Sequence, residues 1–120
     1  MKYLCLAYGD KSKMQALSRE ELIAIREKCE PYDAELNRTK SLVFHEGLSW
    51  NVATIRPCNG TVSVTDGPFV ELKEQIGGVF VIEAADLNEA IRIASLHPAA
   101  HLGEDLGWGI EVRPIEAFNP

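Results

Sequence analysis

Two stretches of this chain, KYLCLAY at residues 2–8 and IGGVFVIE at residues 76–83, are apolar on both faces that a strand would present. Tyr3, Cys5 and Ala7 point one way in the first, and Leu4, Leu6 and Tyr8 the other. Val79 and Val81 oppose Phe80 and Ile82 in the second. A sheet with one wet face would alternate apolar with polar residues. These two strands are therefore predicted at the centre of a sheet that needs covering on both sides.

The remaining segments supply one cover. Ser18 followed by Glu21 is a capping-box pattern, and Leu22, Ile25, Cys29, Tyr32 and Leu36 recur at helical intervals behind it. Pro31 has no amide hydrogen for the Glu27 carbonyl, so a kink or a division is expected there. Asp86 and Glu89 open a second helix with Leu87, Ala90, Ile91 and Ala94 on its apolar face, ending near His97, before Pro98. Residues 42–50 and 52–58 read as extended. Asn59-Gly60 is the favoured pair for a type I′ hairpin, which sets Ile55 against Val64 and Pro57 against Val62 on an apolar face. Arg56 then opposes Ser63, and Thr54 opposes Thr65, on a polar face. Residues 66–78 read as irregular and 109–115 as the last strand.

The order strand, helix, strands, strand, helix, strand predicts an α+β fold: a ferredoxin-like antiparallel sheet with two helices on one face, in a single domain over residues 1–120. Two helices cover only one sheet face. A twofold-related copy is the expected second cover, so the working unit is predicted to be a homodimer with apposed sheets.

Composition narrows the function classes. A formal net charge of -6, with no basic patch, argues against a nucleic-acid partner or an anionic membrane. No window is long and apolar enough to span a bilayer, and the N-terminal apolar run is too short for an export signal. A cytoplasmic location is expected. Cys5, Cys29 and Cys58 form no CxxC pair and no ligand-spaced cluster, so neither disulfide nor metal is predicted. No phosphate loop, dinucleotide fingerprint, nucleophile elbow or zinc-protease motif occurs, and no cofactor is expected.

Single residues supply the candidate chemistry. Asp66, before Gly67-Pro68, is either a turn residue accepting backbone hydrogens or a carboxylate fixed at a strand end for proton transfer or ligand anchoring. Glu71 and Lys73 are either a solvated charged edge or part of a cleft wall. Arg113 is placed to bind a carboxylate ligand or to pair with Glu111. His45 is the candidate acid–base histidine, and Glu46 beside it in a strand points to the other face. His97 and His101 are four apart, but Pro98 breaks the helix that would align them on a metal. Trp108, between two glycines, is set to cap a cleft or to pack at a subunit seam.

MKYLCLAYGD at the start, VTDGPFVELKEQIGGVFVIEAADLNEAI in the middle and IEVRPI near the end together resemble the YCII-related family, in particular its DGPF-domain branch. The resemblance implies a dimeric α+β barrel of ferredoxin-like subunits. It also implies a cleft with a buried histidine–aspartate pair, the histidine coming from the first helical region. No histidine precedes His45 here, so that half of the pair does not carry over. Asp66 lies within the DGPF word. The association of some relatives with extracytoplasmic-function sigma factors adds a regulatory partner as a third class. The expected function is small-molecule binding in a cleft at or near the dimer interface, with cofactor-independent acid–base catalysis of lyase, isomerase or hydrolase type as the alternative.

Overall fold

A computed structural model describes residues 1–116. Strand β1 runs Lys2–Asp10, followed by helix α1 (Lys11–Gln15), helix α2 (Arg19–Arg38), strands β2 (Leu42–Gly47), β3 (Ala53–Cys58), β4 (Thr61–Asp66) and β5 (Glu74–Glu83), helix α3 (Leu87–Ala94) and strand β6 (Gly109–Pro114). Between α3 and β6 lie two short 3-10 turns, Pro98–Ala100 and Glu104–Leu106.

The main sheet is antiparallel, in the order β2-β5-β1-β6, so the two strands with apolar residues on both faces are its centre. Tyr3, Cys5, Phe80 and Ile82 form the core with Leu36 of α2 and Ala90, Ile93 and Ala94 of α3. Both helices therefore bury against the same sheet face. Leu4, Leu6 and Val79, on the other face, are only partly covered.

The expected dimeric barrel is not what the chain forms. Four strands make an open sheet with β2 and β6 as edges, and no strand closes it. The molecule measures 49 × 43 × 18 Å, thick enough for one helical layer on one sheet and no more. The reason is that β3 and β4 add nothing to this sheet and pair only with each other as a separate two-stranded hairpin. A third helix, α1, was also not expected: Asp10 ends β1 and its side chain accepts the Lys13 amide hydrogen, capping one extra turn.

Pro31 does not divide α2, which runs unbroken from Arg19 to Arg38 behind a complete Ser18–Glu21 capping box. The helix docks by its C-terminal half. Leu36 is fully buried, Cys29 and Tyr32 are half-buried, and Leu22 is exposed. The hairpin has the register set by its turn, including Ile55 opposite Val64 and Pro57 opposite Val62. Asn59 and Gly60 have φ of 48° and 78°, the left-handed pair that a type I′ turn requires.

Candidate functional site

Because the N-terminal half of α2 stands off the sheet, a cavity of about 390 Å³ remains between them. Its wall includes Cys29 and Asp33 of α2, His45 of β2, His97 after α3, and the indoles of Trp50 and Trp108. One potential ligand atom from each of Asp33, His45 and His97 falls within a common 4.8 Å.

Local irregularities of backbone bring these three together. In β2 the pairing runs Leu42 with Ile82, then Phe44 with Val81 and His45 with Phe80, leaving Val43 as an extra residue. Side chains alternate faces along a strand, and cross-strand partners share one. Without that bulge His45 would pair with Val79 on the bare face. With it, His45 shares the helix-covered face with Phe80, a re-aiming that bulges commonly produce. A second bulge lies in β5. Ala7 pairs with Gly78 and Tyr8 with Ile76, so Gly77 is the unpaired residue. A Cβ on Gly77 would lie 2.9 Å from the Trp50 ring, so its hydrogen leaves room for that cavity wall.

Asp33 lies one turn before the buried Leu36 and one turn after Cys29, on the face of α2 turned to the sheet. Burial pushes its carboxyl above the ordinary aspartate range, and the charge of His45 partly counters this. His97 ends the helical region, and its Nδ1 accepts the Ala99 amide hydrogen at 3.0 Å. A neutral imidazole has one acceptor nitrogen, so Nε2 of His97 carries the ring hydrogen. Its ring is stacked on Phe80 and edge-on to His45, with centroids 5.2 Å apart in the second case. Burial, with His45 as a second cause, pushes its pKa down to about 4.

The three groups could be read as a metal cradle, since two imidazoles and a carboxylate suit a divalent ion. The Ala99 contact weighs against this. Ligation through Nδ1 would sacrifice that hydrogen bond, and ligation through Nε2 would require the ring hydrogen to leave. The arrangement suits proton handling better. A polar atom of His45 lies within 4.8 Å both of the Asp33 carboxylate and of a nitrogen of His97. Cys29 contributes no nucleophile, because burial and then the Asp33 charge raise its thiol pKa.

The other sequence candidates are elsewhere. Asp66 is exposed at the end of β4, and its side chain makes no hydrogen bond among the described residues. The backbone bond at this turn is made by Gly67, whose amide donates to the Val52 carbonyl at 2.8 Å. Glu71 and Lys73 lie exposed between β4 and β5. Arg113 donates through Nε to Glu111 at 3.0 Å, and the Tyr8 hydroxyl donates to the same carboxylate at 3.3 Å. Asp66, Glu71, Lys73 and Arg113 are not among the cavity-lining residues; His45 is.

Asp33 and Trp50 are not singled out by the sequence, and His97 is weighed there only as a metal ligand beside His101. The signal for Asp33 was a carboxylate at four-residue spacing from Cys29 on a helix stripe that is otherwise apolar. For His97 it was a histidine directly before a proline at a helix end, where its side chain can cap the following turn. Trp50 had none, since its place depends on the Gly77 bulge.

The model of the YCII-related domain matches residues 1–119. The chain belongs to the YCII-related family. An uncharacterized protein of Rhizobium meliloti (strain 1021) is 33% identical over 127 residues, an alignment spanning 100% of this chain and 96% of the relative. The histidine expected from the family resemblance, in the first helical region, is not present in this YCII-related chain, and the Asp33 carboxylate occupies α2 while the two histidines stand on β2 and after α3. Among the described residues, no helix is long and apolar enough to cross a membrane.

Proposed function

We propose that this YCII-related protein binds a small molecule in the cavity between α2 and the sheet and moves a proton on it with its own side chains. The observation that carries the reading is the convergence of Asp33, His45 and His97 within 4.8 Å on one cavity wall. His45 takes a proton from a substrate atom, and the Asp33 carboxylate stabilises the imidazolium so formed. Returning that proton to another substrate atom completes an isomerisation without a co-reactant. His97, neutral and donating through Nε2, is suited to hold a substrate oxygen. The cavity volume and its tryptophan walls favour a compact substrate with one polar end. The DGPF word at Asp66–Phe69 supports a place in the DGPF branch of the family.

The test is exchange of substrate C–H for deuterium in D₂O, followed by proton NMR over a panel of small carbonyl compounds. At least one compound is expected to exchange faster with the protein, and His45→Gln is expected to reduce that gain by about 100-fold or more. Failure of every compound to exchange, or full activity in His45→Gln, contradicts proton transfer at this site.

A further inference from the structure

A carboxylate drawn out of water is as a rule paired with a cation or with hydrogen-bond donors. Asp33 is half-buried, yet among the described residues its side chain accepts no hydrogen bond and forms no ion pair. The one charge that acts on it is that of His45. The cavity wall offers nothing further. The chain carries 12 lysines and arginines, but none of them lines this cavity, and its other formally charged lining residue, Glu46, is acidic as well. An anionic ligand would therefore meet carboxylates and no fixed cation.

For a cation the same wall is well supplied. The Trp108 indole is fixed by its Nε1–H, which donates to Met14 Sδ at 3.2 Å. An indole has one donor, so the ring has no hydrogen left for a ligand and offers the cavity its π surface. Trp50 lies against Gly77, its ring 2.9 Å from where a Cβ would stand. A Cβ on Gly9 would lie 3.4 Å from Trp108 and 3.7 Å from Trp50. The two indoles thus converge on one point above β1. Paired aromatic rings attract organic cations, tryptophan most strongly.

We infer that this cavity selects a small organic cation, an alkylammonium group seated against Trp50 and Trp108 with the Asp33 carboxylate as its countercharge. The inference rests on the reading of the cavity as a ligand site and names the class of its ligand. A neutral apolar molecule would use the indoles and leave Asp33 unpaired. A metal ion would pair with Asp33 and gain nothing from the indoles. An alkylammonium uses both. A carboxylate has two oxygens, so pairing with the ligand leaves one available to His45. The volume of about 390 Å³ is at the small end for ligand sites and suits a compact ammonium compound.

Titration calorimetry on the full chain, in mildly alkaline buffer, tests this with probes of matched size. They are choline, the alcohol in which tert-butyl replaces its trimethylammonium group, and the anion tert-butylacetate. Choline is expected to bind saturably and about 10-fold or more tighter than the alcohol, with tert-butylacetate weakest. Asp33→Asn and Trp50→Leu are each expected to bring choline within about threefold of the alcohol. Circular dichroism verifies folding, and if a variant is unfolded the wild-type comparison of the three probes still decides. The alcohol or the anion binding as tightly as choline overturns the inference while leaving the cavity a ligand site. Choline that fails to bind, or that binds unchanged to both folded variants, overturns it too. Exchange of substrate C–H in D₂O then decides separately whether the cavity transfers protons.

Discussion

The imidazole of His97 lies flat against the ring of Phe80, 4.9 Å between centroids and 4° between planes. Phe80 is fully buried at the centre of the sheet, so one face of this imidazole is sealed against water. The Ala99 amide occupies Nδ1 of the same ring. A proton added to it would gain a charge with no water on that face and would cost the Ala99 hydrogen bond.

This gives the fold a defined response to acid. His97 has its pKa depressed from 6.5 to about 4, so between those values the unfolded chain binds more protons than the folded one. Stability is therefore full above pH 6.5 and falls as pH drops through about 4, by on the order of 3 kcal/mol. Urea unfolding across that range is expected to show the loss. His97→Asn keeps an acceptor for Ala99 and is expected to remove most of the pH dependence.

Gly103 backs the other tryptophan. Its φ is 71°, and a methyl group there would overlap the Trp108 indole. Gly103→Ala is expected to cost at least about 2 kcal/mol and to shift Trp108 fluorescence toward the red as the ring leaves its seat. Gly77→Ala should be milder, about 1 kcal/mol, because it meets only the far end of the Trp50 side chain.

The hairpin turn is a local matter. Asn59→Ala with Gly60→Val forces two side chains into left-handed backbone, at about 1–2 kcal/mol each. Since the hairpin is not part of the main sheet, the expected signature is faster amide hydrogen exchange over Ala53–Cys58 and Thr61–Asp66, with β1 and β5 little changed.

Asp66 makes no side-chain hydrogen bond among the described residues, and the Gly67 amide holds the turn instead. Asp66→Asn and Asp66→Ala are both expected to stay within about 0.5 kcal/mol of the wild type in urea unfolding. A larger loss in either would assign the carboxylate a contact that the geometry lacks.

What was legible in the sequence is whatever a short-range rule fixes. The Asn59-Gly60 turn sets its own register, the Ser18–Glu21 box starts α2, and the two-faced apolar strands identify the sheet centre. Each depends on residues within a few positions of one another. Asp33 and His97 meet across 64 positions, and His45 joins them only through a bulge at Val43 that no local pattern announces. The hairpin's pairing was legible, but the direction it faces was not, because Arg56 and Thr54 find their partners thirteen residues away. The closed barrel was expected from the resemblance; β3 and β4 pairing only with each other leaves the sheet open.

The central claim is that Asp33, His45 and His97 form one ligand-binding, proton-handling site, and ring ¹⁵N NMR of the three histidines during a small-molecule fragment screen tests it most directly. His101 lies outside the cavity, stacked on Tyr32 with centroids 5.0 Å apart, and serves as the internal reference. His97 is expected to be the Nε2–H tautomer, and bound fragments are expected to shift the His45 and His97 nitrogens saturably while His101 stays still. Asp33→Asn is expected to weaken those responses. Bound fragments that leave both cavity rings unmoved, or a His97 protonated on Nδ1, would contradict the claim.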